Sequence, residues 1–168
     1  DTEASAKSLG FNKASDLKLG VALKIKEFVS GGGFLFTMCS GTDSFDIALA
    51  AHNTDICEHM FDGDPADPKS QEKLDFNNTF AFQNFKLERD PMVYEYSNID
   101  GTELRRQNRV TEKTDKFTLF EFSAKWDVVP TMLTQCHTDI IDGFMGQTTD
   151  FRTDFIKPNV LVMGENKS

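Results

Sequence analysis

Residues 31–51 read GGGFLFTMCSGTDSFDIALAA, and no other stretch limits the possible folds as tightly. Three glycines lead into an almost continuously apolar run, Phe34 to Met38. A turn follows at Cys39-Ser40-Gly41, then a helix start at Thr42-Asp43-Ser44 and an apolar helical run from Phe45 to Ala51. A short apolar run bounded by turn residues reads as a strand buried on both faces, the kind found in parallel sheets covered by helices. Strand, sharp turn and helix in this order form half of an α/β unit. Open α/β sheets place their ligands at such turns, outside the carboxyl ends of the strands.

The chain before it supports that reading. Ser15-Asp16 reads as a helix N-cap. Leu17, Val21, Ile25 and Phe28 recur at helical spacing, with Lys18, Lys24, Lys26 and Glu27 opposite, and Ser30 and the glycines end the run. This amphipathic helix is expected to pack on one face of a sheet. Further on, Thr79–Leu87, Val93–Tyr96, Phe117–Ala124, Val128–Thr134 and Asn159–Met163 read as strands, and 139–146 as a short helix or loop. Residues 53–78 are acidic and broken by Gly63, Pro65 and Pro68, which reads as an exposed loop insertion. The whole of 1–168 is read as a single α/β domain. Its abrupt opening on DTEASAKSLG suggests an internal piece of a longer chain.

Charge narrows the partners. The net charge is −9, with only Arg105, Arg106 and Arg109 forming a basic knot. Binding phosphates needs clustered Lys and Arg, so no nucleic-acid partner is expected. No apolar run approaches the ~20 residues of a membrane span. Cys39, Cys57 and Cys136 are odd in number and lack a CxxC spacing, so neither a disulfide framework nor a zinc ribbon is indicated. Asp62, Asp64 and Asp67, beside Glu58 and His59, offer oxygen ligands for Ca²⁺ or Mg²⁺ but lack an EF-hand register, and a solvated loop is the preferred reading of them. No metal site is assigned and no cofactor is called for.

The string GGGFLFTMCSGTDSFD resembles the ThuA-like branch of the class I glutamine amidotransferase-like superfamily, through its glycine-rich approach, short strand, turn and Thr42-Asp43 pair. Beyond it, DICEHMFDGD, ERDPMVYEYSNID, FSAKWD, GFMGQTT and NVLVMGENKS are similar to a bacterial lineage labelled "asparagine synthetase B-like". The pyrophosphate-loop pattern SGGxDS of true synthetases is not matched, because Ser40-Gly41-Thr42-Asp43-Ser44 lacks the second glycine. The resemblance implies a flavodoxin-like three-layer sandwich with a mainly parallel sheet. It also implies that the chain is the middle to late part of a longer protein, and it favours the periplasm.

Cys39 stands where that superfamily carries its nucleophile, although the G-x-C-x-G elbow here reads Thr37-Met38-Cys39-Ser40-Gly41. A thiol at a helix N-terminus is favoured as thiolate, and the free backbone N–H groups can hold an oxyanion. His137 is the candidate base and Asp139 its orienting acid, echoing the superfamily's His-Pro-Glu with Thr138 in place of proline. Ser40, Gly41, Thr42 and Asp43 would line the substrate pocket, and Trp126, with Tyr94 and Tyr96, would offer a sugar-stacking face. Two functions stand side by side. One is an amidotransferase-like or ThuA-like hydrolase or transferase acting on a small polar amide or sugar-derived substrate. The other is a non-catalytic module binding a small molecule or carbohydrate, in which Cys39 only shapes the pocket and His137 is a turn residue. Oligomeric state is open.

Overall fold

The computed structural model describes residues 2–93, 95–101, 116–119, 140–142 and 151–166. They fall into two compact units, Asp1–Asp100 with Arg152–Lys157, and Gly101–Phe151 with Pro158–Ser168.

The first unit begins with helix α1 (Thr2–Ser8), helix α2 (Ala14–Ser30) and helix α3 (Gly41–Ala50). The apolar spacing of Leu17 to Phe28 does make a helix, and Gly31 and Gly32 stop it by returning their N–H groups to Glu27 and Val29. Among the described residues of this unit there is no sheet for its apolar face to meet. Helix α2 packs on α1 and α3. Of its residues Ala22 alone is fully buried, while Leu17, Val21, Ile25 and Phe28, with Phe11, line an open groove.

The expected parallel sandwich is not formed. Phe34–Met38 lies outside any helix or strand, with Phe34, Phe36 and Met38 exposed. Among the described residues, the peptide groups of Phe34–Thr37 make no hydrogen bond to the rest of the chain. A strand is defined by a partner, and among the described residues none pairs with this run. Thr79–Leu87 is not a strand either. Phe82 and Leu87 each make one isolated antiparallel bridge, to Ile156 and Ser97. Residues 159–163 are likewise irregular, with Leu161, Val162 and Met163 exposed instead of buried.

Helix α3 carries the core of the first unit. Ile47, Leu49 and Ala50 are buried with Phe82, Phe85, Ile99 and Phe155. Phe45 stacks on Phe80 at 5.9 Å between ring centroids, and Phe76 meets Phe85 edge-on at 5.0 Å. The irregular segment 76–82 is fixed mainly by polar groups. Asp46 of α3, 1 % exposed, accepts the N–H groups of Phe80, Ala81 and Phe82 at 2.8, 2.7 and 2.8 Å. On the other side the Lys157 ammonium donates to the carbonyls of Phe76 and Thr79, both at 2.6 Å. Backbone bonds from Gln83 to Phe155 and from Lys157 to Ala81 lace 152–157 along the same segment.

Residues 53–78 hold a short helix α4 (His59–Asp62) and two 3₁₀ turns, Ser70–Lys73 and Phe76–Asn78. Gly63 closes α4 at φ 91°, donating to the His59 carbonyl.

The second unit contains strands β1 (Lys116–Leu119), β2 (Ile140–Asp142) and β3 (Gly164–Asn166), in the order β2-β1-β3. Both pairings are antiparallel, with Phe117 opposite Ile141 and Thr118 opposite Glu165. The sheet described is therefore small and antiparallel, which overturns the mainly parallel sheet expected from the sequence.

Candidate functional site

The turn before α3 exists, although no strand feeds it. Gly41 and Thr42 return their N–H groups to Met38 and Cys39, each at 3.1 Å. Cys39 is exposed and holds φ at +54°, a left-handed conformation uncommon for a residue with a side chain. Ser40 precedes the helix without a side-chain capping bond, and Gly41 and Thr42 open its first turn.

Asp43 is the unusual group of that turn. It is only 2 % exposed, and among the described residues its Oδ1 has no hydrogen-bond partner. Burial raises its pKa to about 6, and the charges of Asp100 and Glu95 push the same way. The N–H groups of Asp43 and Ser44 oppose the rise. A buried carboxyl oxygen without a partner is costly, so it selects for a neighbour that donates a hydrogen bond. The sequence named Asp43 a candidate pocket residue from its position after the turn. Nothing in the sequence marked its burial.

The other expected site residues do not assemble around it. His137, Asp139 and Trp126 lie outside the described residues, as do Tyr94, Cys136 and the arginines at 105, 106 and 109. His52, just past the end of α3, shares a hydrogen bond with the Asn78 side chain at 3.1 Å, a tether to segment 76–82. His59 opens α4 and is exposed, and Tyr96 is exposed.

A second polar cluster lies around α4. Lys13, the residue before α2, contacts Asp55 at 2.6 Å, Asp64 at 2.8 Å and Asp62 at 3.3 Å. Asp55 and Asp64 hold its ammonium well above the usual lysine range. Burial works against ionisation of Asp62, but hydrogen bonds from Ser15, Lys13 and Cys57 outweigh it and keep the carboxyl below its ordinary value. The neighbouring Cys57 thiol is pushed up to about 11, first by burial and then by Asp62. Oxygens of Asp55, Asp62 and Asp64 lie within 4.8 Å of one another, close enough to share one cation. Lys13 supplies the positive charge there, so the cluster reads as a tie between the start of α2 and the α4 segment. Asp67, expected beside Asp62 and Asp64, instead contacts Lys73 and Thr54.

Compared with family models, with curated proteins and with solved structures, the chain matches none. Among the described residues no helix is long and apolar enough to cross a membrane.

Proposed function

We propose that this chain is a non-catalytic binding module for a small polar ligand bearing hydroxyl or amino groups, of which a carbohydrate is one class. The observation that carries this reading is the Asp43 carboxyl, buried at the first turn of α3 with Oδ1 unpartnered. A ligand hydroxyl or ammonium donating to that oxygen removes the penalty of burying it alone, and a charge-assisted hydrogen bond is the stronger kind. Asp100 and Glu95 add negative potential, which favours an amino over a neutral group. Gly41 borders open space, so the turn leaves room on that side.

Titration calorimetry with neutral sugars, amino sugars and small amines tests it. Binding by the wild type and a loss of at least about tenfold in Asp43→Asn are expected, since each tenfold is about 1.4 kcal/mol. Equal binding by Asp43→Asn, or no binding of any member of the panel, refutes the reading.

A second reading keeps Cys39 as the nucleophile of an amidotransferase-like or ThuA-like hydrolase or transferase. The left-handed backbone at Cys39, directly before a helix N-terminus, favours it, because strain of this kind gathers at functional sites. Turnover of glutamine or small amides that survives Cys39→Ala removes that role.

A further inference from the structure

We infer that two copies of this chain associate through the run Phe34–Met38, paired antiparallel with itself about Phe36. The inference goes beyond the ligand reading at Asp43 and does not depend on it.

Three observations converge. First, the backbone of Phe34–Thr37 is unused, with no hydrogen bond to the rest of the chain among the described residues. Unpaired peptide groups on an exposed segment are a template for another strand. Second, exposure alternates along the run. Phe34, Phe36 and Met38 are 86 %, 54 % and 70 % exposed, whereas Leu35 and Thr37 are covered more. Residues two apart share a face of a strand, so this run offers three large apolar groups on one side.

Third, the patch is large enough. Phe28, 61 % exposed, lies against Gly33, where an added Cβ would fall 2.3 Å from its ring. The Phe28 ring, at the end of the α2 groove, is thus seated against the residue that precedes Phe34. Together Phe28, Phe34 and Phe36 expose about two whole phenylalanine side chains, roughly 300–500 Å². With Met38 and Val21 the patch reaches roughly 500–700 Å², at or beyond the usual patch on a monomer and approaching the ~800 Å² that each partner gives a stable dimer.

Charge distribution selects a second copy over another class of partner. The chain carries 27 acidic residues, yet none of its charged side chains falls in 28–42. A two-fold pairing about Phe36 sets Phe34 against Met38 and Leu35 against Thr37, and no like charges are brought face to face. The net charge of −9 on each copy then opposes association only at long range, where salt screens it.

Sedimentation velocity on the full chain, at rising protein concentration and at two ionic strengths, reads the outcome. A monomer–dimer equilibrium that tightens with salt is expected. Phe34→Glu should weaken it at least about tenfold. Met92→Glu, at a residue 89 % exposed elsewhere, should leave it unchanged. The Phe34 side chain is too exposed to support the fold, and circular dichroism of the variant verifies that; Phe36→Glu provides an independent second variant. A chain that stays monomeric at about 200 μM in high salt overturns the inference, that concentration being far above a micromolar Kd. So does a dimer indifferent to Phe34→Glu, or open-ended assembly in place of a closed pair.

Discussion

Asp46 offers the sharpest test of how the first unit is held together. Its two carboxylate oxygens collect three backbone N–H groups, Phe80 on Oδ1 and Ala81 and Phe82 on Oδ2, in a site 1 % exposed. Asp46→Ala removes the acceptor and leaves three inward-facing donors without a partner. Each such donor costs about 1–3 kcal/mol, and the losses are not additive, so a destabilisation of about 4 kcal/mol is expected. Asp46→Asn is milder. Its carbonyl oxygen can keep Ala81 and Phe82, while its amide group meets the Phe80 N–H donor to donor. About 2 kcal/mol follows from one lost bond and the lost charge. At roughly 2–4 °C per kcal/mol for a chain of this size, the midpoints should drop by about 8–16 °C and 4–8 °C. Thermal and urea unfolding followed by circular dichroism give these shifts. Amide exchange adds a local check, since the amides of Phe80, Ala81 and Phe82 should lose protection together. If Asp46→Ala lies within about 0.5 kcal/mol of wild type, the carboxylate is not what fixes the segment, and Asn matching wild type would sink the oxygen-by-oxygen account.

The remaining expectations concern the two polar clusters. Asp43 has a folded pKa of about 6 against an ordinary 3.8, so the folded state holds the proton more tightly. Its stabilisation is complete below the unfolded value and is lost as pH rises through about 6, by on the order of 2 kcal/mol once solvent near the helix end is allowed for. Urea midpoints of wild type should therefore decline across that window relative to Asp43→Asn, and parallel pH profiles would contradict the burial of this carboxyl. Gly63→Ala forces a Cβ onto φ 91° between Asp62 and Asp64, and should cost about 1–2 kcal/mol in a denaturant titration; a neutral effect would mean α4 closes differently. With iodoacetamide near neutral pH, peptide mass spectrometry should find exposed Cys39 modified well before Cys57, whose thiol is half-buried with a pKa of about 11. The reverse order would contradict the Asp62–Cys57 contact.

Helices were readable in the sequence where local periodicity decides them. Leu17 to Phe28 and Phe45 to Ala51 each carry the spacing of one apolar face, and both are helical. Strands were read less well, because a strand requires a partner elsewhere in the chain: Phe117 to Leu119, read as part of a strand, lies in one, and two other runs do not. The run FLFTM has the composition of a buried strand and is exposed backbone instead. TFAFQNFKL alternates, yet the N–H groups of Phe80 to Phe82 go to Asp46, a side chain thirty-four residues or more away in sequence. One sign of that was present: Asp46 interrupts the apolar run of α3, and an acid there requires a partner. Asp43 entered as a candidate from its place after a turn, and its burial was not legible there. Lys13 was missed because its three carboxylates come from a stretch whose prolines and acids read as solvated loop.

The lysine at 157 has a consequence for how this protein comes into being on the ribosome. The first unit leaves off at Asp100 and is finished only by Arg152–Lys157. A nascent chain must therefore hold Phe82 and the Thr79 carbonyl without their later partners while some fifty intervening residues are made, about 3–10 s at ordinary elongation rates. During that wait the unit is a half-closed vessel, and the late arrival of a single ammonium and its flanking Phe155 and Ile156 is what seals it.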